Sequence, residues 1–430
     1  MTDRHIHPFP VSMTGPAFLC ISLFLFLASA GAYPVDGYDT TGIRRLKRLA
    51  PVLSGQAGKS SELPPGARLA TEQITLHLTS IPLDLSDTGA LIDPGLQRQI
   101  QALFPNRDES YSLVVLDISP GRPVRMAWQQ ADRRFPVGSV GKLAVAAGLF
   151  AQVQRLFPED VEKRRHLLKT RMVTAGPWII SDHHNIPVFV PETGEYSSRP
   201  ARTEDRFSLY EWADHMISAS ANAAASVLWK ELILMRHFGS DYPPDRETEH
   251  GFFAAMSKTA LSDLAEEVVN EPLTRAGLSR QDFHLGSLFT SEGKKRIPGT
   301  GDSRATPAGL LKYLVALEQG RLVDPWSSLE IKRLMYTTAR RIRYASSPAL
   351  GGAAVYFKSG SLYRCVPEPG FTCRKYMGNQ ENVMNSVAIV EHPGSRIYLV
   401  ALMTDVLKKN SAVDHQTLAT QIDMILGNLP

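Results

Sequence analysis

The chain has 430 residues, 43% of them hydrophobic and 21% charged, with a formal charge of +4. That apolar content excludes wholesale disorder, and the charge is too small for a nucleic-acid-binding surface spread over a chain this long, so no nucleic-acid partner is expected. The length suits one large domain or two intermixed ones.

The first residues read as a targeting signal. Arg4, His5 and His7 precede the apolar run AFLCISLFLFLASA from Ala17, which gives way to Ala28, Ala30, Gly31 and Ala32. The run is shorter than the roughly 20 residues that span a bilayer, and its Ala-x-Ala ending suits a signal peptidase. A signal peptide over 1–32 is expected, cleaved after Ala30 or Ala32, with the mature protein exported to the periplasm or secreted; an uncleaved anchor is the alternative. Leu19 precedes Cys20 where a lipoprotein signal needs a small residue, so lipidation is not expected. Residues 33–70 are rich in Gly, Pro, Ser and basic residues without sustained periodicity, and 33–92 read as an extension or linker. Within them IRRLKRL, residues 43–49, reads as a solvated basic arm; anionic membrane lipid or a cell-wall polymer is the partner it would fit.

Folded structure is expected over 93–430. Asp93 and Pro94 are a cap and first residue for a helix over DPGLQRQIQALF. YSLVVLDIS (111–119) and PVRMAWQ (123–129) read as a hairpin. Apolar residues at three- and four-residue spacing predict helices over 139–157, 207–236, 257–276 and 307–319, joined by long polar stretches such as 181–206. Strands return at 353–358, 385–391 and 396–403, and a helix closes the chain over 414–426. The fold class is therefore α/β of the α+β type: one antiparallel sheet built from both chain ends and covered by terminal helices, with a central all-helical lobe over about 139–345. A site would lie in the groove between them.

Candidate chemistry begins at RRFPVGSVGK. Ser139 and Lys142 lie three residues apart at a helix head, so their side chains share a face and the lysine can take the serine's proton once burial lowers its pKa. The free N–H of Ser139 at the helix start can face a developing oxyanion. Ser-x-x-Lys alone is a weak signal, and it recurs at Ser291 to Lys294 without an apolar helix behind it. Two further elements raise its weight: ISASANAAASVLW places Ser220 and Asn222 before a small-residue helix, and VYFKSGSLY places Lys358, Ser359 and Gly360 on a strand. Asp182, His183 and His184 lack the spacing of common metal sites. Cys365 and Cys373, close in sequence and facing an oxidising compartment, are expected to pair.

In order and context these three motifs resemble those of the penicillin-recognising serine hydrolases, the superfamily of class A β-lactamases and DD-peptidases. The resemblance covers about 93–430 and implies a β-lactamase/transpeptidase-like fold needing no cofactor or metal. It implies Ser139 as the acylated nucleophile, Lys142 as its base and Ser220 as the proton relay to the leaving nitrogen. Asn222 would hold the substrate's side-chain amide, Lys358 and Ser359 its carboxylate; Gly360 would allow close approach, and the N–H of Ser361 would complete the oxyanion hole. The substrate would be a small β-lactam or a cell-wall peptide. Two departures stand out. Ala221 replaces the usual aspartate of the second motif, and in the deacylation region, 275–307, Glu292 is the single glutamate while Arg296 stands where asparagine is expected. Insertions are apparent at 182–206 and 236–256. The expected function is an exported serine hydrolase of class A β-lactamase type. A cell-wall peptidase or esterase of the same fold, or a weakly catalytic cell-wall peptide-binding protein, is the alternative.

Overall fold

Near-continuous buried runs, apolar on both faces, build a five-stranded antiparallel sheet at the centre of the protein. Its strands are β1 (Ser112–Asp117), β2 (Arg125–Gln129), β3 (Ala354–Arg364), β4 (Glu381–Glu391) and β5 (Ile397–Asp405), in the order β3-β4-β5-β1-β2. The computed structural model describes residues 37–48, 65–85, 89–338 and 341–428. The signal peptide expected over 1–32 lies outside the described residues.

Successive residues of a strand face opposite sides, so the sheet feeds two cores. Leu113, Val115, Val355, Phe357, Val400 and Leu402 face one side, where α1 (Pro94–Gln101) and α8 (Ala412–Asn428) cover them with Leu96, Ile100, Leu418 and Ile422. Val114, Leu116, Tyr356, Ile389, Leu399 and Ala401 face the other, where the helical part packs. That part holds α2 (Lys142–Leu156), α3 (Leu209–Ile217), α4 (Asn222–Phe238), α5 (Lys258–Arg275), α6 (Pro307–Glu318) and α7 (Pro325–Tyr336). Sheet and helices belong to one compact unit, residues 31–430. The antiparallel sheet, the terminal helices and the central helices agree with the expected class. As expected, Asp93 caps α1, its Oδ1 accepting from Leu96 N–H at 2.6 Å, and Cys365 and Cys373 are joined in a disulfide just beyond β3.

Four local expectations are corrected. The helix expected over 207–236 is two helices, α3 and α4, broken at Ser220, whose φ of 60° is left-handed and cannot continue a helix. The strand expected over 353–358 runs on to Arg364, because β4 pairs with it along its whole length. The polar stretch expected as a connection contains a β-hairpin, Asn185–Val190 with Glu195–Pro200; its one buried face, Ile186 foremost, was too short to register as a pattern.

The fourth concerns the N-terminal extension, whose described residues pack on the body. Ile43, Leu46, Ile74 and Leu78 are each buried to within 2%. In the basic run, Arg44 pairs with Glu211 at 2.7 Å, and Arg45 donates to Asp214 Oδ1 at 2.6 Å and to the Thr337 carbonyl at 2.7 Å. The charges of these two arginines, expected to be solvated or offered to lipid or cell wall, are taken up by the protein's own carboxylates. Further on, the Leu78 N–H bonds to the Glu318 carbonyl, and the fully buried Lys332 ammonium binds Glu318, Glu391 and the Thr75 carbonyl.

Candidate active site

The head of α2 faces the free edge of the sheet. A 3₁₀ turn, Gly138–Gly141, leads into α2 and lies along β3. The approach is close enough to dictate glycine: a Cβ on Gly360 would sit on the Val137 carbonyl oxygen and crowd the N–H groups of Ser139 and Val140. Gly138, at φ 51°, faces the backbone of Ser361 in the same way. Asn385, on β4 opposite Gly360, ties the turn down by donating to the Pro136 and Val137 carbonyls at 2.9 and 3.1 Å. The backbones of Ser139 and Ser361 are thereby brought close together.

Into this corner the structure brings all three motifs. The Lys142 ammonium donates to Ser139 Oγ at 2.8 Å, to the Ser220 carbonyl at 2.8 Å and to Asn222 Oδ1 at 2.6 Å. Lys358 Nζ donates to Ser220 Oγ at 2.8 Å and to its neighbour's carbonyl, Ser359 O, at 3.0 Å. Ser139, Ser220 and Ser359 stay half-buried while both lysines are buried. Burial disfavours the cation and lowers Lys142 to about 7. Burial, together with the positive charges of Lys142 and Arg343, pushes Lys358 well below the lysine range. Ser139, Lys142, Ser220, Asn222, Lys358, Ser359, Gly360 and Ser361 therefore form one cluster.

Three residues the motifs did not mark complete it. Ala221 cannot cap α4, and the cap comes from a distant loop: Asp182 Oδ2 accepts the Ala223 N–H at 2.7 Å, and its Oδ1 binds His184 Nδ1 at 2.7 Å. Burial opposes the Asp182 charge, but the bonds from His184 and Ala223 outweigh it and hold the carboxyl below its usual range. This carboxylate also supports the Lys142 cation from behind. The left-handed Ser220 is thus fixed by bonds on every side: from Lys142, from Lys358, and through the Ala221 and Ala223 amides. Strain of this kind, of order 1–3 kcal/mol, persists only where the surroundings over-determine it. Arg343, itself at φ 52°, donates to the Gly360 carbonyl of β3 at 2.6 Å. Phe289 lays its ring 4.8 Å from Lys142 Nζ. The one available signal for Asp182 was its position in the DHH cluster, which read as an unsuited metal site.

The deacylation region shows its own pairing. Glu292 and Arg296 sit on the short helix Ser291–Arg296 and bind each other at 2.9 Å. The Arg296 guanidinium lies over the Trp178 ring, 5.5 Å from its centroid.

A family profile described as the beta-lactamase enzyme family matches residues 95–423. No curated protein matches the chain by sequence. Among solved structures, a representative class A beta-lactamase from Bacteroides cellulosilyticus is similar with a TM-score of 0.51 at 16% identity, over 77% of this chain and 96% of that one. The acyl-enzyme complex of a PBP-A variant with penicillin G gives 0.49 at 16% identity, over 78% and 97%. A beta-lactamase from Sphaerobacter thermophilus gives 0.47 at 16% identity, over 78% and 98%. At 16% identity the likeness to the Bacteroides structure bears on the fold alone.

Proposed function

The chain belongs to the beta-lactamase enzyme family and is a serine hydrolase of that type, and from this premise we propose that Ser139 is acylated by a β-lactam or peptide-like carbonyl and released only slowly to water. The observation that carries the reading is the environment of Lys142. A neutral amine has two N–H bonds and one lone pair. The Ser220 carbonyl and Asn222 Oδ1 can only accept hydrogen bonds, so they claim both N–H bonds and leave the lone pair aimed at Ser139 Oγ, 2.8 Å away. With its pKa lowered to about 7, the amine is neutral in a large fraction of molecules at neutral pH.

Acylation then runs as follows. Ser139 Oγ attacks the carbonyl carbon as its proton passes to Lys142, and the oxyanion forms between the N–H groups of Ser139 and Ser361. The bond to the leaving nitrogen breaks as Ser220 gives up its hydroxyl proton to it and takes the proton held by Lys142 in return, which restores the neutral amine, while Lys358 stabilises the Ser220 oxygen. A substrate carboxylate arriving at Lys358 and Ser359 favours the charged form of the lysine and offsets its burial.

Deacylation needs a carboxylate to activate water. Of the described carboxylates, Asp182 is the one whose charge acts on Lys142, and both its oxygens are engaged; Glu292 is bound by Arg296, and an aromatic ring covers the base. The acyl-enzyme therefore persists. Persistence also supports a second reading, a cell-wall peptidase or esterase of the same fold, whose acyl group waits for another acceptor. Export to an oxidising compartment is proposed with it, since a disulfide is kept there. The test is intact-protein mass after incubation with penicillin G: one added acyl group, mapped to the peptide holding Ser139 and absent from Ser139→Ala, is expected. An unmodified wild type overturns the reading.

A further inference from the structure

A cavity of about 370 Å³ opens beside the cluster, floored by Ser220, Lys358 and Ser359. Ser139 is not among its walls, so it extends the site on the side of the proton relay and the carboxylate-binding lysine, which is the side of the leaving group. Its outer wall is the hairpin 185–200. Asn185, Pro187, Tyr196 and Ser198 all line it. The register explains why: Pro187 stands opposite Ser198 and Phe189 opposite Tyr196, so alternate residues of both strands share one face of the ribbon. The other face buries Ile186 in the core.

This wall is propped from behind by the N-terminal segment. Helix Arg44–Lys47 packs on strand Asn185–Val190, held there by the buried pair of Arg45 with Asp214. The next residue, Arg48, lays its guanidinium 3.8 Å from the centroid of the Tyr196 ring, a cation–π contact that fixes an otherwise exposed aromatic at the cavity mouth. None of the described residues lining the cavity is a carboxylate, and its floor carries the buried Lys358 side chain, so it suits an anionic or neutral group and disfavours a cation. Its volume equals the liquid share of about a dozen waters, far more than a hydrogen or methyl substituent fills.

Resting on the acylation reading above, we infer that this cavity is a leaving-group subsite, which selects substrates whose carboxylate-bearing leaving group carries a bulky uncharged, preferably aromatic substituent, with the N-terminal segment setting its width through Tyr196. The probe is a series of esters R–CO–O–CHR′–COO⁻ with one acyl group R and with R′ as hydrogen, methyl or benzyl. In each, Ser139 Oγ bonds to the acyl carbon, the ester C–O bond breaks, and the 2-hydroxy acid departs with the proton relayed by Ser220.

The second-order acylation constant, read as release of the hydroxy acid, should rise about tenfold from hydrogen to benzyl, the return from partly burying a phenyl ring. Tyr196→Ala should flatten the series to within about twofold, Ser198→Trp, which fills the same face, should invert it, and Arg48→Ala should weaken the preference less than Tyr196→Ala. A wild-type melting transition certifies the fold of each variant. A benzyl preference that survives Tyr196→Ala, or no preference in the wild type, overturns the subsite while leaving Ser139 acylation standing. Absence of any adduct on wild-type Ser139 overturns the acylation reading and the subsite with it.

Discussion

Replacing Lys142 by methionine should slow acylation sharply and at the same time change how stability depends on pH. The fall of its pKa from 10.5 to about 7 corresponds, at about 1.36 kcal/mol per pH unit, to a cost of folding of up to about 5 kcal/mol below pH 7. Between pH 7 and 10.5 the unfolded chain binds this proton and the folded chain does not, so wild-type stability rises with pH across that window. Methionine removes the cost but leaves the Ser220 carbonyl and Asn222 Oδ1 without their donor, at about 1–3 kcal/mol each. At pH 6 the two effects nearly cancel and Lys142→Met should melt close to wild type. At pH 10, with the lysine neutral and its bonds intact, wild type should be the more stable by several kcal/mol. The assay is urea unfolding of both proteins at intervals from pH 6 to 10, followed by the difference between the two curves, which cancels the other titrating groups to first order. Acylation by penicillin G, followed in parallel, should show a midpoint near pH 7 in wild type and fall on the order of a hundredfold or more in the variant. Parallel stability curves would refute the depressed lysine, and a folded variant acylated at the wild-type rate would refute its role as base.

Three further outcomes are expected. A chromogenic cephalosporin should give one fast equivalent of product and then slow turnover, because Glu292 is held by Arg296; steady rapid hydrolysis that still requires Ser139 would show that another group positions the water. Asp182→Asn should lower stability at neutral pH by about 1.5–3 kcal/mol, the scale of a charge-assisted bond. The loss should vanish below the carboxyl's depressed folded pKa, and the acylation midpoint should move below 7 as the Lys142 cation loses its support; an unmoved midpoint would sink that part of the argument. Arg45→Met strands the Asp214 carboxylate, which has no exposed side-chain surface, and should cost about 3–5 kcal/mol by thermal melting. Adding Asp214→Asn should recover much of that loss, and its failure to do so would show that the arginine acts through packing alone.

The cluster around Ser139 was legible where chemistry and local geometry coincide. Ser139 and Lys142 are three residues apart at a helix head, so spacing alone predicts that these two side chains meet, whereas the place of Ser220 and Lys358 beside them was implied by the resemblance. Asp182 escaped because its partner, the Ala223 amide, is 41 residues away in sequence, and a carboxylate that caps another segment's helix leaves no periodic trace. The break at Ser220 escaped for a different reason. Small and apolar residues run through 216–229 without interruption, and the left-handed φ that ends α3 is imposed by tertiary bonds from Lys142 and Lys358. The N-terminal segment misled through composition: arginines usually mean solvent, and the buried carboxylates that receive Arg44 and Arg45 belong to a helix more than 160 residues away.

The interior strand β1 has one neighbour made just after it and the other made near the end of the chain's synthesis. Each of its six residues is buried, and Ser112–Asp117 pairs on one side with β2, a short hairpin away, and on the other with Tyr398–Met403 of β5. At ribosomal rates of about 5–20 residues per second, β5 follows β1 by tens of seconds. During that interval β1 and β2 make a two-stranded ribbon, which is marginal in water on its own, with an apolar unpaired edge open to other strands. The nascent protein therefore carries an unpaired apolar edge for about two thirds of its synthesis, and the closing pair with β5 forms across a long loop that slows the final step. A holdase or a passage across a membrane in the unfolded state would cover the same interval, so the folding of this domain is tied to the completion of its last strand and of α8 behind it.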